Sequence, residues 1–278
     1  MNRHLYFIGI GNMGQAILNG LKKDLEWSKA KITCVKKHAE TAHLPNEIEV
    51  LTGLQLLTEK IENSIVLLCV KPQIFQEISA DIKKIIGESN IIISVMAGLS
   101  LEFIADSLSI NSKDVIRTMP NLPCSIGLGM STIYHKPDCP INNVSLCQSI
   151  LKCCGEILVV QSENQIDQST AISGSGPGYF FLFAEAMINK AISMGFSRNE
   201  ARSLVGQTLV GASEVLLKND GDATLMRKKV TSKNGTTEAA ISLFNSRDFS
   251  EIIDQAMEQA YLRAAEISQS SNGISAET

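Results

Sequence analysis

A glycine-rich turn near the N-terminus constrains the fold of this chain more than any other feature. The turn is Gly9-Ile10-Gly11-Asn12-Met13-Gly14, a G-x-G-x-x-G motif that directly follows the apolar run Leu5-Tyr6-Phe7-Ile8. After a strand, the first glycine permits a tight turn, the second lets the backbone approach a pyrophosphate, and the third lets the next helix pack closely. The N-terminus of that helix offers free N–H groups to an anion. We therefore predict that Gly9, Gly11, Asn12, Met13 and Gly14 bind a dinucleotide, the alternative being a glycine turn without a ligand.

Strand-like and helical segments alternate over the first 160 residues, which predicts a doubly wound, mostly parallel sheet. The predicted strands are short and apolar on both faces, as strands covered by helices should be. They comprise residues 5–10, 31–35, 47–51, 65–70, 90–95, 114–117, 129–134 and 156–160. The predicted helices between them comprise residues 13–23, 54–61, 73–86, 101–108 and 142–153.

Beyond Val160 the pattern changes to long helical segments with capping signals, such as Ser197-Arg198-Asn199-Glu200. We therefore predict a Rossmann NAD(P)-binding domain over residues 1–160 and an all-α domain over residues 161–278. Residues 179–192 are apolar almost all round, and such a helix must be enclosed on every side. A small helical domain can hardly enclose it alone, which predicts a dimer.

Composition excludes several classes of function. A net charge of −4 and a pI near 5.7 give no basic excess for a nucleic-acid backbone. The longest apolar runs, residues 91–99 and 179–188, are shorter than the roughly 20 residues of a membrane-spanning helix. The N-terminus lacks the pattern of a secretory signal, so we expect a cytoplasmic protein. Seven cysteines without C-x-x-C spacing and four scattered histidines predict no metal site.

The end of the second predicted strand indicates which dinucleotide binds. An NAD enzyme places a carboxylate there for the ribose hydroxyls, whereas this chain has Lys36 and Lys37. Two lysines can pair with a 2′-phosphate, so we predict NADPH rather than NADH. The alternative is a solvated loop.

Downstream motifs give the sequence a specific resemblance. They are Cys69-Val70-Lys71-Pro72-Gln73, Met96-Ala97-Gly98, residues 117–123 (RTMPNLP), residues 173–179 (SGSGPGY) and residues 230–237 (VTSKNGTT). Together, from Phe7 to about Ala265, they closely resemble the pyrroline-5-carboxylate reductases. The resemblance implies reduction of the C=N bond of 1-pyrroline-5-carboxylate to L-proline with NAD(P)H, the last step of proline biosynthesis. It also implies a Rossmann domain and a helical domain that intertwines in a homodimer, with a higher assembly of dimers as a further option.

The late motif suits a small carboxylate. Gly235-Thr236-Thr237 precedes a helical run, so it offers amides and hydroxyls at a helix start. By resemblance, Thr237 contacts the substrate and serves its ring nitrogen as hydrogen-bond partner or proton donor, while Ser232, Gly235 and Thr236 bind from the loop. An iminium carbon is already electrophilic, so its reduction needs positioning more than a strong base. The alternative is a threonine N-cap without a ligand.

Other segments receive roles from the resemblance. Ser175 and Gly176 form another wall of the substrate pocket, or else a purely structural turn. Glu163 stands where the family places an acidic residue near the substrate amine, although a helix start would equally favour glutamate.

Two further segments run along the cofactor by resemblance: Val70, Lys71 and Pro72, and Met96, Ala97 and Gly98. Lys71 is also a catalytic candidate, since its charge can lie beside the phosphates or the substrate carboxylate. The alternative is a solvated lysine.

Some positions depart from the family pattern, and two rival functions remain open. Lys233-Asn234 replaces the common Pro-Gly, and Gly178 stands where alanine is usual. One rival is another reductase of the same fold, such as a β-hydroxyacid dehydrogenase, but the catalytic lysine in G-x-x-G-x-x-x-K is missing. The other is a non-catalytic NADPH-binding regulator.

Overall fold

The apolar runs of the N-terminal half form strands of one sheet in the computed structural model, which describes residues 4–37, 44, 47–57, 59–87, 89–218 and 222–271. The strands are β1 (Leu5–Ile8), β2 (Ile32–Val35), β3 (Glu49–Leu51), β4 (Ile65–Leu68), β5 (Ile91–Ser94), β6 (Val115–Met119), β7 (Gly129–His135) and β8 (Gly155–Val159). Their order is β3-β2-β1-β4-β5-β6-β7-β8.

Among β1 to β6, every pair of neighbouring strands is parallel. Strand β7 is antiparallel to β6, and β8 is parallel to β7. The order of the first six strands is that of dinucleotide-binding sheets, in which the order of strand addition reverses between β1 and β4. In such sheets ligands bind outside the carboxyl ends of the strands at this reversal. The fold therefore fixes in advance which loops can form a cofactor site.

Helices cover both faces of this sheet. Neighbouring residues of one strand, such as Phe7 and Ile8, belong to two separate buried clusters. Helices α1 (Asn12–Lys23) and α4 (Ile141–Lys152) pack in the cluster of Phe7, and α2 (Pro72–Ile85) and α3 (Leu101–Leu108) pack in that of Ile8. The predicted doubly wound, mostly parallel sheet is confirmed.

Predicted boundaries fail where local geometry intervenes. Strand β1 ends at Ile8 rather than at residue 10, because Gly9 turns the chain with a φ of +86°. The predicted helix over residues 54–61 is wrong: Leu54–Leu56 form a single 3₁₀ turn, and Ile61 pairs with Ile86 in a β-bridge. The residue before the 3₁₀ turn, Gly53, offers no capping side chain, and a helix of only two turns has marginal stability.

The described residues after β8 are mainly helical. The helices are α5 (Asn164–Ser169), α6 (Gly176–Ser193), α7 (Arg198–Lys218), α8 (Ala223–Val230), α9 (Thr236–Ser246) and α10 (Phe249–Ser271), and a π-helical turn, Thr170–Gly174, separates α5 from α6. The predicted capping box begins α7: the backbone N–H and hydroxyl of Ser197 both donate to Glu200 Oε2, at 2.8 and 2.7 Å. Within the described residues, no helix combines the length and apolar character needed to cross a membrane.

By internal contacts the chain divides into two units, Met1–Pro177 with Gln259–Thr278, and Gly178–Glu258. We call them the sheet unit and the helical unit. The predicted domain boundary after Val160 rests on the change of sequence pattern, whereas the units defined by internal contacts divide after Pro177. The domain boundary stays a prediction.

Candidate active site

The glycine-rich turn closes tightly against the end of β4. A Cβ atom on Gly9 would lie 2.6 Å from Val70 Cγ1 and 3.0 Å from the carbonyl oxygen of Cys69. At Gly14 a Cβ would lie 3.2 Å from the Cβ of Cys69, so the third glycine brings α1 close to the sheet. Burial raises the pKa of the Cys69 thiol, which therefore stays neutral beneath the turn. The positive φ and the close contacts require glycine at position 9, and close packing favours glycine at position 14.

Gly11 differs from its two neighbours in the motif. It is the N-cap of α1, with a φ of −71°, and no atom lies within 4 Å of a Cβ built on it. The first turn of α1 holds no acidic side chain, Asn12 is exposed, and Met13 is half-buried. A helix N-terminus with open space in front of its amides fits the pyrophosphate of a dinucleotide.

The lysines predicted to select the cofactor lie at the same edge of the sheet. Lys36 and Lys37 follow β2, and the backbone N–H of Lys36 donates to the carbonyl of Leu51 at 3.0 Å. Lys71 is exposed at the N-cap of α2, directly after Val70, and Pro72 begins that helix. Three lysines thus follow the carboxyl ends of β2 and β4.

The loop after β5, residues 95–99, contains Met96, Ala97 and Gly98. Gly98 is buried with a φ of +75°, and a Cβ on it would lie 2.5 Å from Cγ2 of Ile267 in α10. Ser94 Oγ accepts a hydrogen bond from the N–H of Met96 at 3.2 Å. The loop is therefore held at defined points beside the Lys71 segment.

The turn before α6 contains Ser175 and Gly176. The N–H of Ser175 donates to the carbonyl of Thr170 at 2.8 Å, which closes the π-helical turn. Asn121 Nδ2 donates to the carbonyl of Ser173 at 2.9 Å, and Asn121 Oδ1 accepts from the N–H of Met130. Ser175 is exposed and Gly176 is buried. Single π-turns of this kind occur frequently at functional sites.

Glu163 lies at the N-terminus of α5, and its carboxylate has two partners. Glu163 Oε1 accepts from the N–H of Leu101 at 2.7 Å and from Nη1 of Arg117 at 3.1 Å. Arg117 Nη2 donates to Oδ1 of Asp167 at 2.8 Å. We call Arg117, Glu163, Asp167 and Leu101 the Arg117 cluster.

Sequence reasoning missed the Arg117 cluster, although a signal for it exists. Arg117 stands in the apolar strand β6 and is 1% exposed. A charge in a strand covered on both faces must be paired, so its position alone called for acidic partners. Those partners, Glu163 and Asp167, lie 46 and 50 residues away in the sequence.

In the helical unit, the segment between α8 and α9 carries Ser232, Gly235, Thr236 and Thr237. Gly235 is the N-cap of α9 and provides no capping side chain, and Thr236 and Thr237 are the first two residues of the helix. Glu238 Oε2 accepts from the N–H of Asn234 at 2.6 Å, so this acid caps the preceding loop. The start of α9 is built to present backbone amides and threonine hydroxyls.

The departures from the family pattern fit the backbone. Asn234 has a φ of +58°, in the left-handed region that asparagine tolerates better than most residues. Asparagine therefore keeps the turn that a glycine would make. No atom lies within 4 Å of a Cβ built on Gly178, so either glycine or alanine fits there.

No group of three or more His, Cys, Asp or Glu side chains could hold a metal ion in the described ranges. The expected lack of a metal stays a prediction.

Comparisons with known proteins identify the family. The family model for pyrroline-5-carboxylate reductase dimerisation matches residues 163–267, and the model for NADP oxidoreductase, coenzyme F420-dependent, matches residues 4–98. The pyrroline-5-carboxylate reductase of Haemophilus influenzae is 35% identical over 94% of this chain and 96% of its own length. The enzyme of Vibrio alginolyticus is 32% identical over 96% and 98%. This chain belongs to the pyrroline-5-carboxylate reductase family.

Solved structures of the same family agree. The pyrroline-5-carboxylate reductase of Coxiella burnetii superposes with a TM-score of 0.85 at 28% identity and covers 96% of this chain and 99% of its own. The structure of Plasmodium falciparum pyrroline carboxylate reductase with NADP bound superposes with a TM-score of 0.84 at 25% identity. It covers 96% of this chain and 98% of its own. The resemblance predicted from the sequence motifs is confirmed.

The pyrroline-5-carboxylate reductase dimerisation match explains the surface of the helical unit. Phe180, Phe181 and Leu182 of α6 are 66%, 60% and 69% exposed in the single chain. The apolar helix that must be enclosed is therefore not enclosed within this unit. A dimer is the assembly that these findings support.

Proposed function

We propose that this chain is a pyrroline-5-carboxylate reductase, which transfers a hydride from NADPH to the C=N bond of 1-pyrroline-5-carboxylate and forms L-proline. The observation that carries the proposal is the match to relatives of that name over 94 to 96% of the chain. NADPH supplies the hydride; a C–H bond forms at the imine carbon as the C=N π-bond breaks, and the nitrogen, protonated in the iminium, becomes the amine.

The sheet unit binds the cofactor. The open N-terminus of α1 at Gly11 receives the pyrophosphate, and Lys36 and Lys37 pair with the 2′-phosphate. Val70, Pro72 and the loop after β5 line the nicotinamide half, since they follow the neighbouring strands β4 and β5. NADH is the weaker alternative, because Lys36 and Lys37 stand directly after β2, where an NAD enzyme has a carboxylate.

The start of α9 binds the substrate. The carboxylate of 1-pyrroline-5-carboxylate accepts hydrogen bonds from the Thr236 amide and the Ser232 hydroxyl. The N–H of Gly235 donates to the Ser232 carbonyl at 3.0 Å, so Gly235 contributes by shaping the turn beside the carboxylate. The half-buried Thr237 donates its hydroxyl to the ring nitrogen as the amine forms. Orientation of an already electrophilic carbon is the main catalytic requirement.

Two further groups, both in the sheet unit, have proposed roles. Ser175 and Gly176 bind the substrate ring from the turn before α6. Lys71 adds positive charge, which favours both an anionic cofactor and a carboxylate substrate.

We also propose the location and assembly. All seven cysteines are free thiols, the state that a reducing compartment such as the cytoplasm maintains. The dimers associate further into a higher assembly, since apolar side chains outside the helical unit, including Ile126 and Leu128, are 70% and 72% exposed.

The experiment that tests the proposal is NADPH oxidation by the purified chain with 1-pyrroline-5-carboxylate, compared with a β-hydroxyacid and its oxidation by NADP⁺. We expect turnover with the imine and loss of it in Thr237→Val, which keeps the shape and removes the hydroxyl. NADPH binding without turnover would favour the regulator. Turnover of the β-hydroxyacid alone would favour the other reductase.

A further inference from the structure

Glu163 connects two segments of the sheet unit that the proposed function assigns to different ligands. The loop after β5 runs along the cofactor, and the turn before α6 contacts the substrate. Glu163 lies at the start of α5, whose last turn leads into the π-helical turn Thr170–Gly174 and then to Ser175. Its carboxylate reaches across to the first residue of α3, Leu101.

The loop after β5 is fixed at both ends by side chains. At its beginning Ser94 Oγ binds the N–H of Met96, and the Ser94 carbonyl accepts from the hydroxyl of Thr118 at 2.9 Å. At its end Ser100 Oγ caps α3 by accepting from the N–H of Phe103 at 3.1 Å. The N–H of Leu101, the first residue of α3, donates to Glu163, so a charged acceptor holds the amide at which the loop enters the helix.

Arg117 orients that carboxylate. It pairs in register with Ser94 across β5 and β6, so it lies beside the point where the loop leaves the sheet. Its two Nη atoms contact Glu163 at 3.1 Å and Asp167 at 2.8 Å. Both acids belong to α5 or its N-terminus, so the guanidinium clamps this helix end.

Stability alone does not explain the Arg117 cluster. Replacing a buried ion pair by apolar residues is often neutral or stabilising. Arg117 is 1% exposed, and its Nε has no hydrogen-bond partner among the described residues, which adds a desolvation cost. A group that is expensive to bury and joins two loops of a proposed site points to a role in geometry.

We propose that Glu163 is a positioning residue: oriented by Arg117, it holds the Leu101 amide and so fixes the loop Met96-Ala97-Gly98 against the cofactor. This inference rests on the proposed function only in taking that loop to line the cofactor. It assigns Glu163 a role through the backbone of α3 rather than by direct contact with the substrate amine.

The test measures NADPH binding by calorimetry without substrate, so it does not depend on turnover. In Glu163→Ala, Arg117 keeps Asp167 as a partner, and the buried charge stays neutralised. We expect the Kd for NADPH to rise about tenfold, which corresponds to about 1.4 kcal/mol. Hydrogen exchange should also accelerate at the Leu101 amide. Glu163→Gln keeps the shape and one acceptor oxygen, so its Kd should lie between those of the wild type and Glu163→Ala.

A matched control is Glu102→Gln. Glu102 lies in the same first turn of α3, but its exposed side chain pairs with Lys136 instead of the Leu101 amide. Its variant should bind NADPH within about twofold of the wild type, as expected for an exposed pair. An unchanged Kd and unchanged exchange in folded Glu163→Ala would overturn the proposal. So would an unchanged Kd with a raised KM for the imine, which would assign Glu163 to the substrate instead.

If the wild type binds NADPH but does not reduce the imine, the proposed function fails while the role of Glu163 is still measured. If Glu163→Ala does not fold, Glu163→Gln decides the matter by the same Kd and exchange measurements.

Discussion

Replacing Gly9 by alanine should destabilise the sheet unit strongly. A residue with a Cβ costs about 1–2 kcal/mol in the left-handed region, where Gly9 lies with a φ of +86°. The new Cβ would also lie 2.6 Å from Val70 Cγ1 and 3.0 Å from the Cys69 carbonyl oxygen. The valine side chain can shift, but the carbonyl belongs to the backbone directly after β4, so overpacking adds about 1–3 kcal/mol. We expect a total loss of about 2–5 kcal/mol in the free energy of unfolding.

The single tryptophan, Trp27, is buried and reports unfolding by its fluorescence. With typical denaturant slopes of about 1–3 kcal/mol per molar urea, the midpoint should fall by about 1 M or more at fixed protein concentration. An unchanged midpoint would refute the close-packing argument.

Gly11→Ala is the matched control from the same motif. Gly11 has a φ of −71° and open space around its Cβ position. Loss of the preferred N-cap should therefore cost about 1 kcal/mol or less. The added methyl group would lie where the pyrophosphate approaches, so the Kd for NADPH should rise by about tenfold or more. Gly11→Ala with unchanged binding would contradict the proposed phosphate site.

Three further substitutions test separate parts of the account. Lys36→Glu should lower the preference for NADPH over NADH by roughly one to two decades in KM ratio, because a charged hydrogen bond contributes about 1.5–3 kcal/mol; an unchanged ratio would exclude Lys36 from cofactor selection. Phe181→Glu should convert the dimer to monomer in sedimentation, since a 60% exposed phenylalanine of α6 becomes charged; a persistent dimer would place the interface elsewhere. The pKa of His4 is lowered to about 4, mainly by burial and also by the charge of Lys31, while its Nε2 lies 2.8 Å from Thr33 Oγ1. Neutral His4 therefore contributes stability above pH 6.5 that is lost as the pH falls toward 4, and urea midpoints of His4→Gln should depend less on pH over that window than those of the wild type.

Local sequence signals predicted local structure well. The predicted helix over residues 101–108 has those bounds, and Ser100 caps it. Ser197 and Glu200 form the predicted capping box. In each case both partners lie within four residues of one another, so the pattern contains the whole interaction.

Long-range features escaped prediction because nothing in the local pattern links their partners. Ile267, for example, packs on Gly98 from the far end of the chain. The π-helical turn at Thr170–Gly174 is local, but helical periodicity in the sequence does not distinguish it from an α-helical turn. Likewise Arg117 signals that partners exist but not which ones. The turn at Gly9 and the close helix packing at Gly14 were predictable, since each follows from a strand, a turn and a helix adjacent in sequence.

The most direct test of the central claim is the fate of the hydride. The purified chain should convert 1-pyrroline-5-carboxylate to L-proline with NADPH that carries deuterium at both C4 positions of the nicotinamide. Mass spectrometry should then find one deuterium on the former imine carbon and one NADPH consumed for each proline formed. Proline without the label, or no proline while NADPH binds normally, would contradict the assignment of this chain as an imine reductase.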